Sequence, residues 1–92
     1  MDGQRRPARL EVAVEEKMVE LWETVLGRPV LPDDDFFLEL GGDSLQALQL
    51  VDSIVATFGV EVSVADLFER PTASQLASVV QELQASGAGQ VG

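Results

Sequence analysis

Cysteine, histidine and tyrosine are absent from this 92-residue sequence, and basic residues are few, 6 Lys and Arg against 16 Asp and Glu. Without Cys or His there is no zinc finger, no structural zinc site and no disulfide framework. The same gap excludes a Ser-His-Asp triad and a Cys-His nucleophile pair. No run approaches the ~20 apolar residues of a membrane span, and the N-terminal MDGQRRPAR lacks the apolar stretch of a secretory signal. A cytoplasmic location is therefore the expectation. Arg5, Arg6 and Arg9 crowd into the first nine residues, and from Leu10 onward 15 acidic residues face 3 basic ones. Such a field repels nucleic acid. It attracts proteins with basic docking surfaces, unless it serves only solubility.

What is present is enough for one small core. Hydrophobic residues make up 46% of the chain, more than a disordered sequence carries, and the length suits a single domain. Leu10, Val14, Met18, Leu21, Trp22 and Val25 recur on one helical face. Gly27 is placed to stop that helix, and Pro29 and Pro32 forbid its continuation. A second helix reads from Ser44 to Phe58 and ends at Gly59. A short third one fits Val64 to Glu69, opened by a Ser63/Asp66 capping box. Pro71 and Thr72 introduce the last, with Thr72 and Gln75 repeating the box and Leu76, Val79, Val80 and Leu83 as its apolar face. The fold class is all-α: a small four-helix bundle of three main helices plus a short third one, with a long ordered loop between helices 1 and 2. Residues 1–8 are expected to be a disordered N-terminal segment, residues 9–85 the domain, and residues 86–92 a disordered tail.

The connection over residues 27–43 exceeds the ~12 to 15 residues beyond which a structureless loop is usually functional or disordered. Phe36, Phe37, Leu38 and Leu40 would bury well, so this loop is expected to pack down, with one helical turn begun by Asp34 or Asp35. The run Asp33, Asp34, Asp35 fails as a calcium loop. Begun at Asp33, it puts Leu38 where Gly is needed and Ser44 where Glu is needed. Gly41 and Gly42 permit a tight turn, Asp43 suits an N-cap with Gln46 completing a box, and Ser44 falls in the first turn of the second helix. An anion held there gains ~0.3 to 1 kcal/mol from the helix dipole. A plain capped helix start explains the same residues. Leu45, however, lies roughly 140° from the centre of the arc of Ala47, Leu50, Val51, Ile54, Val55 and Phe58, with Leu48 at the arc's edge. An exposed Leu beside a Ser at a helix N-terminus suggests a docking spot. In the third helix, Leu67 or Phe68 is expected to anchor to the core, leaving Val64 more exposed.

The run Phe36-Phe37-Leu38-Glu39-Leu40-Gly41-Gly42-Asp43-Ser44-Leu45 resembles the attachment motif of phosphopantetheine-dependent carrier proteins. It is most similar to the peptidyl carrier (thiolation) type of nonribosomal peptide synthesis. The resemblance continues through Asp66-Leu67-Phe68-Glu69-Arg70-Pro71-Thr72 and Gln75-Leu76-Ala77, and covers roughly residues 10–84. It implies that Ser44 receives a covalent 4′-phosphopantetheine arm from coenzyme A, whose thiol holds an aminoacyl, peptidyl or acyl group as a thioester. It implies Asp43, Leu45, Leu48, Val64 and Phe68 as partner contacts. The implied partners are a phosphopantetheinyl transferase, an adenylating enzyme, and condensation or tailoring enzymes, for a non-catalytic monomer that touches neither nucleic acid nor membrane. Met1 suits a free-standing carrier.

Asp43 departs from the His or Asn that often precedes the serine in peptidyl carriers, and matches acyl carriers of fatty acid and polyketide pathways. The Phe36-Phe37 and Gly41-Gly42 pairs, and Asp52 as the only acid of the second helix, lean to the peptidyl type. The alternatives are a polyketide-type acyl carrier, an unmodified acidic helical interaction module, and a small enzyme with Ser44 as nucleophile and Lys17 or a carboxylate as base. The last has no His and too little chain to enclose a pocket.

Overall fold

The computed structural model describes residues 6–86 and contains, in order, α1 (Arg6–Leu26), α2 (Ser44–Phe58), α3 (Val64–Glu69) and α4 (Ala73–Ser86). Met18 and Trp22 of α1 are fully buried, and Val14, Leu21 and Val25 pack against them from the same face. The side chain of Leu10 lies outside the described ones. The helix begins earlier than the apolar period suggests. Residues 6–8 of the expected loose segment are helical, because a proline in the first turn gives up only an amide that would have no helical partner. Residues 1–5 and 87–92 lie outside the described residues, while Ser86, expected in the tail, ends α4. The Gly27 amide closes α1 on the Glu23 carbonyl at 2.7 Å.

α2 runs between the expected bounds. Asp43 and Gln46 form a complete capping box at its start, and the Gly59 amide reaches the Val55 carbonyl at its end. Ala47, Leu50, Val51 and Ile54 are its buried face. α3 opens on the Ser63/Asp66 box. The α4 box is a variant. The Gln75 amide donates to Thr72 Oγ1 at 3.2 Å, and the Thr72 hydroxyl donates to Gln75 Oε1 at 3.1 Å. α1 packs most extensively on α4 and also on α2, and α2 packs on α3. The shared core takes Leu67 from α3 and Ala73, Leu76, Ala77 and Val80 from α4.

The long loop is ordered by hydrogen bonds to its own carboxylates and to the start of α4. Asp35 Oδ1 accepts the amides of Phe37 and Leu38, both at 2.8 Å, and its carbonyl accepts those of Glu39 and Leu40. This is the anticipated single turn, begun by Asp35. Phe36 donates its amide to the Pro71 carbonyl at 2.7 Å, Ser74 donates to the Pro32 carbonyl at 3.0 Å, and Asp35 forms an isolated antiparallel bridge with Thr72. Phe36 and Leu40, four apart, point inward and are buried. Leu38 contradicts the expectation of burial and is 87% exposed. A single turn that commits residues 36 and 40 to the core turns the residue midway between them to solvent. A second correction concerns α3. Val64 is partly buried against the core, whereas Phe68 is 57% exposed. Leu67 is the anchor, Val64 shares its side at i−3, and Phe68 is rotated ~100° away.

Phe36 joins the loop to the centre of the bundle. Its ring meets Trp22 edge to face at a centroid distance of 5.2 Å. On the other side it lies over Gly42, where a Cβ would overlap the ring edge. The Trp22 indole N–H is buried with no acceptor among the described residues, so the ring contributes through apolar area rather than a hydrogen bond. Trp22→Ala should therefore cost about 3 to 5 kcal/mol, read by chemical denaturation, and Trp22→Phe should cost less. Gly42→Ala should cost about 1 to 3 kcal/mol through overpacking against Phe36. A Gly42→Ala melting temperature equal to wild type would show that the contact is loose.

Candidate functional site at the mouth of the second helix

The loop delivers the chain to α2 through two glycines with different duties. Gly41 sits at φ +69°, where a side chain is strained, and Gly42 lies flush against Phe36 while its amide donates to the Phe36 carbonyl at 2.8 Å. Asp43 then adopts extended backbone, its Oδ1 accepting the Gln46 amide at 2.8 Å, while Gln46 Oε1 accepts the Asp43 amide at 3.1 Å. Ser44 is the first residue of α2 and is exposed. The Asp43 carboxylate satisfies the third of the first-turn amides, and those of Ser44 and Leu45 take no partner among the described residues. No acidic residue occupies the first turn of the helix. The result is a hydroxyl facing solvent beside two free N–H donors at the positive end of a 15-residue helix.

Leu45 is 64% exposed, as its place on the helical wheel implies, and Leu48, at the edge of the apolar arc, is 53% exposed. Together with Phe68 they make three large apolar side chains exposed on α2 and α3. Val64, named with them from the sequence, contributes mainly to the core. An open groove of about 700 Å³ lies along the far half of α2, with Val51, Val55 and Val62 as its apolar lining and Asp52, Glu61 and Asp66 as its acidic one. Lys17, which with a carboxylate was one of two bases weighed for an enzyme reading, is exposed and pairs with Glu20 at 3.4 Å.

Sequence reasoning missed Phe37. Its ring stacks on that of Phe68 with centroids 4.6 Å apart and planes 2° from parallel. The doubled Phe at positions 36 and 37 was the available signal, but nothing local says which surface the second ring covers.

Comparison with known proteins agrees with this arrangement. The family model described as "Phosphopantetheine attachment site" matches residues 16–80. Surfactin synthase subunit 2 of Bacillus subtilis is 37% identical over 89 residues, covering 97% of this chain and 2% of that protein. The structure of BlmI, a type-II acyl-carrier protein from Streptomyces verticillus involved in bleomycin biosynthesis, superposes with a TM-score of 0.79 at 28% identity. That match covers 87% of this chain and 98% of BlmI. A peptidyl carrier protein solved in complex with the phosphopantetheine transferase Sfp and coenzyme A gives a TM-score of 0.71 at 36% identity, covering 75% and 90% of the two chains. The chain spans only 2% to 8% of the length of the curated relatives it matches. The family-model match over most of the chain, with the 36% identity to that peptidyl carrier, places the chain in the phosphopantetheine attachment-site family, as a carrier of the peptidyl type.

Proposed function

We propose that Ser44 is the residue to which the 4′-phosphopantetheine arm is attached, and that the domain presents aminoacyl or peptidyl cargo to enzymes acting in sequence. The observation that carries this reading is the exposed Ser44 hydroxyl at the first residue of α2, beside the unpartnered amides of Ser44 and Leu45. These residues fit the group. A phosphodiester on Ser44 Oγ meets two N–H donors and the helix dipole, a combination that favours an anion by ~0.3 to 1 kcal/mol at an exposed site. The nearest carboxylate, Asp43, is turned to the Gln46 amide. In attachment, Ser44 Oγ forms the new P–O bond and loses its proton, while the pyrophosphate linkage of coenzyme A breaks and the adenosine bisphosphate leaves. The attached group supplies a terminal thiol, which the Cys-free chain lacks, to hold cargo as a thioester.

The domain itself catalyses nothing in this reading. It is a cytoplasmic monomer modified in trans by a phosphopantetheinyl transferase and charged by an adenylating enzyme. Condensation or tailoring enzymes then act on the cargo. Its contribution is tethering, which raises the local concentration of cargo to the millimolar scale for a short flexible link. Leu45, Leu48 and Phe68 supply exposed apolar contacts, Asp43 and Val64 border them, and the surrounding acidic field favours basic partner surfaces.

Incubation with coenzyme A and a broad-specificity phosphopantetheinyl transferase should raise the intact mass by one phosphopantetheinyl unit, and Ser44→Ala should gain none. An unchanged wild-type mass beside a modified control carrier would instead leave an acidic interaction module. Leu45→Asp should impair modification or loading while leaving the helical circular dichroism nearly intact, because the side chain lies outside the core. Loss of helix in that variant would show that Leu45 supports the fold.

A further inference from the structure

The dipeptide Phe36-Phe37 holds two parts of the surface at once. Phe36 points inward, fully buried, edge-on to both Trp22 and Phe37, with centroids 5.2 and 4.9 Å away. Phe37 lies partly buried at the edge of the core and stacks flat on Phe68 of α3. The Phe36 backbone clamps the same two regions. Its amide donates to the Pro71 carbonyl just beyond α3, and its carbonyl accepts the Gly42 amide two residues before Ser44. α3 itself has six residues and one buried side chain, Leu67. Leu67 and the partly buried Val64 hold one face of this short helix to the core, and the Phe37–Phe68 stack attaches its other side to the loop.

We propose that Phe37 is a positioning residue: through its stack on Phe68 it locks α3 to the turn that precedes Ser44. The modifying transferase then meets the Ser44 hydroxyl and the exposed apolar surface of α3 at one set separation. This rests on Ser44 being the attachment residue. The lock acts before chemistry, since neither ring reaches the reacting atoms. Its loss should therefore weaken recognition of the carrier and leave the transfer step itself intact. The effect is carried by Phe68, so it should vanish when Phe68 is already gone.

The test is transferase kinetics with the apo chain as varied substrate, for wild type, Phe37→Leu, Phe37→Tyr, Phe68→Leu and the double variant Phe37→Leu/Phe68→Leu. Phe37→Leu should raise KM about twofold to tenfold, the scale of one aromatic pair, with kcat within about twofold of wild type. Phe37→Tyr, which keeps the ring, should retain the wild-type KM. In the Phe68→Leu background, Phe37→Leu should change KM no further. An equal KM effect in both backgrounds, no effect in either, or a loss confined to kcat would overturn the lock.

Should Phe37→Leu fail to fold, Phe68→Leu, altered at an exposed position, decides the question through amide exchange. Faster exchange at Gly42 than in wild type is expected, and unchanged exchange refutes the coupling. A wild-type chain that is never modified sinks the Ser44 reading and this proposal with it. Modification with a flat KM across the Phe37 variants sinks the proposal alone.

Discussion

The Phe36 side chain lies between Trp22 and the bare Cα of Gly42, and the presentation of Ser44 depends on that contact. A connection as long as residues 27–43 loses on the order of 1 to 2 kcal/mol of backbone entropy per ordered residue. Three buried side chains, Val30, Phe36 and Leu40, oppose that loss in part, together with backbone hydrogen bonds from Phe36 to Pro71 and from Ser74 to Pro32. Phe36 is the one that also touches the residue entering α2. With its ring in place the loop hands Asp43 to the helix in the extended conformation an N-cap requires. Without it, the cap and the hydroxyl beyond it would lose their fixed relation to the bundle.

Acidic side chains have two separate roles here. Glu23, Asp34, Asp35, Asp43 and Asp66 accept backbone amides near their own positions, so several carboxylates of this acid-rich chain serve as local caps. The Asp43 helix cap is worth roughly 1 kcal/mol, more than either exposed ion pair among the described residues, Lys17–Glu20 or Arg70–Glu69, supplies. Asp52 and Glu61 are exposed and add to the negative field that a partner meets. A carrier visited by several enzymes in turn benefits from long-range attraction combined with a small apolar contact. Attraction raises encounter rates, and the limited contact keeps dissociation fast.

The two short apolar displays, Leu45 with Leu48 on α2 and Phe68 on α3, sit on elements of unequal stability. α2 is anchored along its length by Ala47, Leu50, Val51 and Ile54, so its exposed leucines ride on a rigid support. α3 relies on Leu67, on the partly buried Val64 and on ring packing against a loop residue. Any enzyme that reads both helices therefore depends on how firmly α3 is held to the loop.

Much of this was legible in the residues themselves. The bounds of α2 and α3, three capping boxes and the exposure of Leu45 follow from side chains interacting with backbone three or four positions away and from a 3.6-residue period. These are short-range effects that the local sequence determines alone. The inward turn of Phe36 and Leu40 with Leu38 left at 87% exposure was not legible, nor was the packing of Val64 against the core. An apolar side chain in a loop or a six-residue helix has no period long enough to define a face. Its direction is decided by which distant surface offers a matching cavity or ring, and for Phe36, Phe37 and Phe68 those surfaces were Trp22, Gly42 and one another.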